Sequence, residues 1–106
     1  MALTKDFRET VRELAQREPQ FRSALLCEAI ELMLSGDEKT GRANLQNYIY
    51  ATVGFQHLRA ATSIPGASLM RMFGLKGDPS AKNLFGVLSH LQGQEGVRLE
   101  IRLRRG

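Results

Sequence analysis

FQHLRAATSIPGASLMRMFG, residues Phe55 to Gly74, holds two short apolar-patterned segments on either side of a break at Ser63-Ile64-Pro65-Gly66. Phe55, Leu58 and Ala61 recur at i, i+3 and i+6; Leu69, Met72 and Phe73 recur at i, i+3 and i+4. Ile64 between them is placed to plug the corner. This spacing predicts two helices crossing over one shared core, joined by a tight turn.

On the N-terminal side, Gly54 ends a helix that starts at the N-cap acid Asp37 and presents Leu45, Tyr48, Ile49, Thr52 and Val53. Gly41 lies in its first turns. Glycine weakens a helix by about 1 kcal/mol relative to alanine, so a frayed or irregular start is expected there. The preceding helix opens on Pro19, suited to a first turn, and runs through Phe21, Ala24 to Cys27, Ala29, Ile30, Leu32 and Met33. Glu28, Glu31 and Ser35 form its narrow polar stripe, Gly36 supplies a left-handed stop, and Cys27 reads as a small core residue. The first helix, Thr4 to Arg17, has Thr4 as N-cap and Phe7, Val11 and Leu14 as its apolar stripe. Its alternating Arg8, Glu9, Arg12, Glu13 and Arg17 read as a solvated face.

On the C-terminal side, residues 74–77 form a loop, and Asp78-Pro79 signals a helix start with Ala81, Leu84, Phe85, Leu88 and Leu91 on its inner face. Gly93 and Gly96 close it. Val97, Leu99, Ile101 and Leu103 then alternate with Arg98, Glu100, Arg102 and Arg104, the period of a half-buried strand. A strand without a partner in its own chain predicts pairing with a second subunit or another protein's sheet.

The chain of 106 residues, 42% hydrophobic, suits one compact domain. One cysteine allows no intramolecular disulfide, the N-terminus does not resemble a signal peptide, and no segment is long enough to span a membrane, so a cytoplasmic protein is expected. Charge is unevenly placed. Residues 1–53 carry seven Lys/Arg and eight Asp/Glu, net −1, whereas residues 54–106 carry eight and three, net +5. The basic excess lies in the half that holds the helix-turn-helix pattern and points to a polyanionic partner.

Catalysis has little to draw on. His57 and His90 fall on expected helix surfaces, and no His-x-x-x-His or Cys-x-x-Cys spacing offers a zinc site or a nucleophilic pair. No glycine pattern follows a strand as a phosphate loop requires. Neither an enzyme nor a bound metal or cofactor is expected.

Nucleic-acid binding has both geometry and residue type. If the second helix of the motif buries Leu69, Met72 and Phe73, then Gly66, Ala67, Ser68, Met70 and Arg71 face outward. Arg71 can grip a guanine edge or a phosphate, Ser68 can bond either, and Ala67 can touch a thymine methyl. Lys76 and Lys82 flank the next helix's N-terminus, a phosphate-binding end, and Asn83 lies one residue further in.

The run Leu58-x-x-Ala61-Thr62-x-Ile64-Pro65-x-x-Ser68-Leu69-x-Arg71-Met72-Phe73, followed by Gly77-Asp78-Pro79-x-x-Lys82-Asn83-Leu84-Phe85, resembles the Cro/C1-type (XRE) helix-turn-helix regulators. Within them it is similar to the addiction-module antidote proteins, or HigA-like antitoxins. The similarity covers residues 45–91. It implies a homodimer that represses its own operon at a palindromic operator and neutralises a cognate toxin by direct binding. Two positions depart from that pattern: Arg59 stands where a small alanine is usual, and Ser63 where the turn usually has glycine. Either the helices open slightly or Arg59 turns out to solvent.

The expected fold is therefore all-α: a compact helical bundle with a lambda-repressor-like helix-turn-helix, two or three N-terminal helices and one C-terminal β-strand used in pairing between chains. The single domain, 1–106, divides into an N-terminal helical extension (1–36), a helix-turn-helix core (37–93) and a basic strand (94–106). The expected function is sequence-specific binding of double-stranded operator DNA as a transcriptional regulator, the antitoxin and autorepressor of a toxin–antitoxin operon. The alternative is a helical protein-interaction module that binds a partner protein without specific DNA binding. The dimer surface stays open between the C-terminal segment and the N-terminal helices.

Overall fold

Local backbone chemistry sets most of the helix boundaries. The computed structural model describes residues 5–74 and 76–106, which hold α1 (Lys5–Arg17), α2 (Pro19–Leu34), α3 (Glu38–Ala51), α4 (Phe55–Thr62), α5 (Gly66–Met72) and α6 (Ala81–Glu95). Pro19 opens α2 where a missing N–H costs no helical bond. Gly36, at φ +98°, ends it in a Schellman motif: Asp37 N donates to Leu32 O at 3.0 Å and Gly36 N to Met33 O at 3.2 Å. Asp37 then caps α3 by accepting from Thr40 N at 3.4 Å. Thr4, expected as the cap of α1, lies outside the described residues.

The α2–α3 hairpin forms the most intimate helix pair, and Gly41 is the reason. The expectation of a frayed start is corrected: Gly41 is buried inside a regular helix, and a Cβ there would collide with Met33 Cγ, with the Ala29 carbonyl at 2.8 Å and with Met33 N at 2.9 Å. Its missing side chain lets the two helices meet. Gly41→Ala gains helix propensity but forces an atom against backbone that cannot rotate away. A net loss of about 1–2 kcal/mol is expected. Urea denaturation measures it, and an unchanged or raised midpoint would show that the helices separate freely.

Leu26 and Ala29 of α2, Leu45, Tyr48 and Ile49 of α3, Leu58, Ile64, Leu69, Met72 and Phe73 of the motif, and Val87, Leu88 and Leu91 of α6 share one buried cluster. The helix-turn-helix thus packs on the α2–α3 hairpin on one side and on α6 on the other. At the far end of this core, Arg22 of α2 pairs with Glu95 of α6 at 3.0 Å, and Tyr48 OH donates to the same carboxylate at 2.7 Å. Arg22 Nη1 also donates to Ala15 O at 2.6 Å, so four helices meet at this network. Burial, reinforced by the hydrogen bond to Glu95, pushes the Tyr48 phenol well above its ordinary 10.

Several sequence expectations are corrected. The charged face of α1 is not simply solvated: Tyr50 OH donates to Glu9 at 2.6 Å, and the guanidiniums of Arg8 and Arg12 lie 4.9 and 5.8 Å from the Tyr50 ring centre. The bond to Glu9 raises the Tyr50 phenol. Ala15, outside the expected stripe, is fully buried, while Phe7 is more than half exposed. Cys27 is exposed rather than in the core, because α2 is apolar around more of its circumference than α3 can cover. Helix α6 starts later than Asp78-Pro79: Ser80 is its N-cap, accepting from Asn83 N at 3.1 Å, and Pro79 precedes the cap. Val87 replaces Phe85 in the buried stripe, and Phe85 is 66% exposed.

The C-terminal strand is also corrected. No strand occurs among the described residues, and residues 97–106 follow α6 without regular structure. Val97 N donates to Gln92 O at 3.1 Å and Leu99 N to Gln92 Oε1 at 2.9 Å, which lays Leu99 against the core. Beyond it Ile101 is 85% exposed and Leu103 fully so. A strand exists only through its ladder. The alternating pattern meets no second extended segment among the described residues, and α6 holds the tail by side-chain and turn bonds instead.

Candidate nucleic-acid interface

The turn between α4 and α5 uses the one non-glycine residue at positive φ among those described, Ser63, at φ 59°. This left-handed conformation costs an L-residue roughly 1–2 kcal/mol. The corner around it is well held: Ser63 N donates to Arg59 O at 3.1 Å, Thr62 Oγ1 to Leu58 O at 2.8 Å, and Ile64 N to Thr62 Oγ1 at 3.4 Å. Ile64 is buried and plugs the corner as its position predicts. Pro65 then precedes α5 and accepts from Leu69 N at 3.0 Å.

Arg59 resolves its own departure from the motif. It is exposed, and its stem lies across Gly66, where a Cβ would sit 3.2 Å from Arg59 Cδ. The small residue at the start of α5 thus makes room for the large one on α4. Leu69, Met72 and Phe73 are buried, and the Phe73 ring meets Phe55 edge-on with centroids 5.8 Å apart, joining the start of α4 to the end of α5.

Ala67, Met70 and Arg71 are exposed on the outer face of α5, and Gly66 and Ser68 are half-buried. Arg71 Nη2 donates to Ser68 Oγ at 3.4 Å, so the two side chains with the best base-reading chemistry start out bonded to each other. Ser68, Arg71, Lys76 and Asn83 line one hollow of about 480 Å³ between the end of α5 and the start of α6. Gly66, Ala67 and Met70 lie outside it on α5, and Lys82 lies outside it, exposed on the first turn of α6. Asp78 also lines the hollow and sets one carboxylate against the cations Arg71 and Lys76.

No protein-family model, curated protein or solved structure matches this chain. What the surface does is therefore argued from its own side chains.

The residue that sequence reasoning missed is Arg42. It is 3% exposed, and its guanidinium donates to Met72 O at 2.8 Å, in the last turn of α5, and to Gly74 O at 3.0 Å, which also accepts from Gly77 N. Glu38 takes its other face, at 2.8 and 3.4 Å, and this bond holds the Glu38 carboxyl below its ordinary 4.5. Gly77 packs against the same group; a Cβ there would collide with Arg71 O and lie 2.9 Å from both Arg42 Nη1 and Met72 O. The loop after α5 is thereby folded back over a buried cation, which brings Lys76 to the rim that Arg71 occupies.

His57 and His90, expected as separate surface residues, meet between α4 and α6 with their Nε2 atoms 3.3 Å apart. One can donate to the other when neutral. Among the described residues, no group of three or more His, Cys, Asp or Glu side chains is placed to hold a metal ion. No described helix is long and apolar enough to cross a membrane.

Proposed function

We propose that this chain is a sequence-specific DNA-binding transcriptional regulator, the antitoxin and autorepressor of a toxin–antitoxin operon, acting as a homodimer on a palindromic operator. The observation that carries the reading is the joining of a helix-turn-helix to a rim of Ser68, Arg71, Lys76 and Asn83, in the half of the chain whose net charge is +5. The resemblance of residues 45–91 to XRE regulators supports it, and the antitoxin role rests on that resemblance alone. In use, Met70 and Ala67 of α5 approach base edges, Arg71 exchanges Ser68 for a guanine or phosphate, and Lys76, Lys82 and the start of α6 hold the backbone. Two copies would present their α5 helices about 34 Å apart, one turn of DNA.

A gel-shift titration on the region upstream of the chain's own gene tests this. Log affinity should fall linearly with log salt, by about 0.9 per phosphate contact. Arg71→Ala combined with Lys82→Ala should weaken binding roughly tenfold and flatten that slope by about 1.8. Unchanged affinity in the double variant would reject this binding face.

The second reading, a helical protein-interaction module without specific DNA binding, draws on the short side chains of Gly66 and Ala67 at the start of α5. A complex with the product of the adjacent gene, together with no DNA shift even at low salt, would favour it.

A further inference from the structure

His57 of α4 and His90 of α6 stand 33 residues apart in the chain, yet their Nε2 atoms are 3.3 Å from each other on the exposed surface. The ring centroids are further apart, at 5.3 Å, so the rings meet at their Nε2 tips and not face to face. Packing holds them there. Each histidine precedes a fully buried leucine, Leu58 on α4 and Leu91 on α6, and both leucines belong to the shared core. The two imidazoles are thus carried on anchored helices rather than on loops.

We propose that His57 and His90 form a two-ligand site for one divalent transition-metal ion, zinc by its geometry. Two imidazole nitrogens bonded at about 2.0–2.1 Å to a tetrahedral zinc lie about 3.3–3.4 Å from each other, the separation found here. An octahedral ion with bonds of that length would draw them to about 2.8–3.0 Å. As a hydrogen bond the contact is loose, since N–H···O bonds usually span about 2.7–3.2 Å. Zinc takes neutral imidazole, so the ring that carries its proton on Nε2 moves it to Nδ1, and both Nε2 lone pairs then face the ion. The surroundings suit a cation. No lysine or arginine stands three or four residues from either histidine, the positions that share a helix face with it. Gly86 and Gly93, one turn to either side of His90, leave open space: a Cβ at either would meet nothing within 4 Å. Water fills the other two coordination positions in that space, as in zinc sites that keep open positions. The bound ion ties α4, the first helix of the helix-turn-helix, to α6. The site shares no residue with the hollow between α5 and α6, so a failed DNA titration leaves it standing.

Calorimetric titration of the full chain with zinc chloride, in a buffer that does not chelate, tests the site. The wild type should bind one ion per chain. His57→Ala and, separately, His90→Ala should each weaken binding at least tenfold, because one imidazole cannot chelate. Circular dichroism should not change, since neither side chain belongs to the buried cluster. Cys27→Ser, which removes the single exposed thiol, should bind as wild type. Nitrogen NMR of the wild type should show both rings fixed in the Nδ1–H tautomer together on zinc addition. Zinc should also raise the urea midpoint of the wild type and of neither histidine variant, because the two ligands converge only in the folded chain. A wild type that binds no zinc below millimolar concentration would overturn the proposal. So would affinity that survives either histidine variant or is lost in Cys27→Ser, which would mark the ion as adventitious.

Discussion

Arg42→Met should destabilise the domain by about 1–3 kcal/mol, because the Met72 carbonyl loses its donor in a buried setting, whereas Gly74 O keeps its bond from Gly77 N. Methionine keeps most of the side-chain volume, so the loss reads out the guanidinium and not a cavity. Glu38 is left without its partner, but it is more than half exposed and water solvates it. Urea denaturation measures the stability. If the proposed DNA-binding function holds, a gel shift at a temperature where the variant is folded should show a second effect, an affinity loss of several fold as the loop carrying Lys76 relaxes away from α5. The variant should also lose part of the acid dependence of stability. Arg42 holds the Glu38 carboxyl below 4.5, so the stabilisation is present above that value and is lost as pH falls through the lowered one. A variant as stable as wild type would mean that the end of α5 is satisfied by water instead.

Glu95→Ala should cost about 2–3 kcal/mol, since it leaves both the Arg22 guanidinium and the Tyr48 hydroxyl without their shared acceptor. Arg22 remains a quarter exposed, and its hydration keeps the figure below that of a fully buried pair. The network also predicts an alkaline limit for the wild type. Tyr48 is held neutral in the fold by burial and by Glu95, whereas the unfolded phenol ionises near 10. Stability is therefore complete below about pH 10 and declines as pH rises above it. Urea midpoints for both proteins between pH 8 and pH 11 check both statements. A wild-type midpoint that does not fall above pH 10 would remove Tyr48 from the account.

Where a residue acts on its immediate neighbours, the sequence is a good guide. Pro19, Gly36 and Asp37 bound their helices as their backbone chemistry dictates, and the spacing of Leu69, Met72 and Phe73 places them in the core. It fails where a distant segment decides. Glu38 and Arg42 at i, i+4 look like an ordinary surface pair, and only the return of Met72, Gly74 and Gly77 over Arg42 buries it. Cys27 and Phe85 lie on helices with more apolar circumference than the core can cover, so periodicity cannot say which residues stay outside. The alternation of residues 97–103 fits a half-buried strand but supplies no ladder partner among the described residues. Among the candidate site residues, Ser68, Arg71, Lys76 and Asn83 line one hollow, while Lys82 lies outside it, exposed on the first turn of α6. One step along a helix rotates a side chain by about 100°, and the start of α6 at Ser80 fixes which of the two neighbours faces the hollow.

The bond between Arg22 and Glu95 spans 73 residues of chain. The α2–α3 hairpin, by contrast, closes over the short turn at Ser35, Gly36 and Asp37. Loop-closure entropy therefore lets the hairpin form early and makes the joining of α6 to α2 a late event on the folding path. Contacts made after the rate-limiting step retain a protein without hastening its assembly. Glu95 accordingly acts as a latch on the finished domain: its loss should appear mainly as faster unfolding, with the refolding rate little changed.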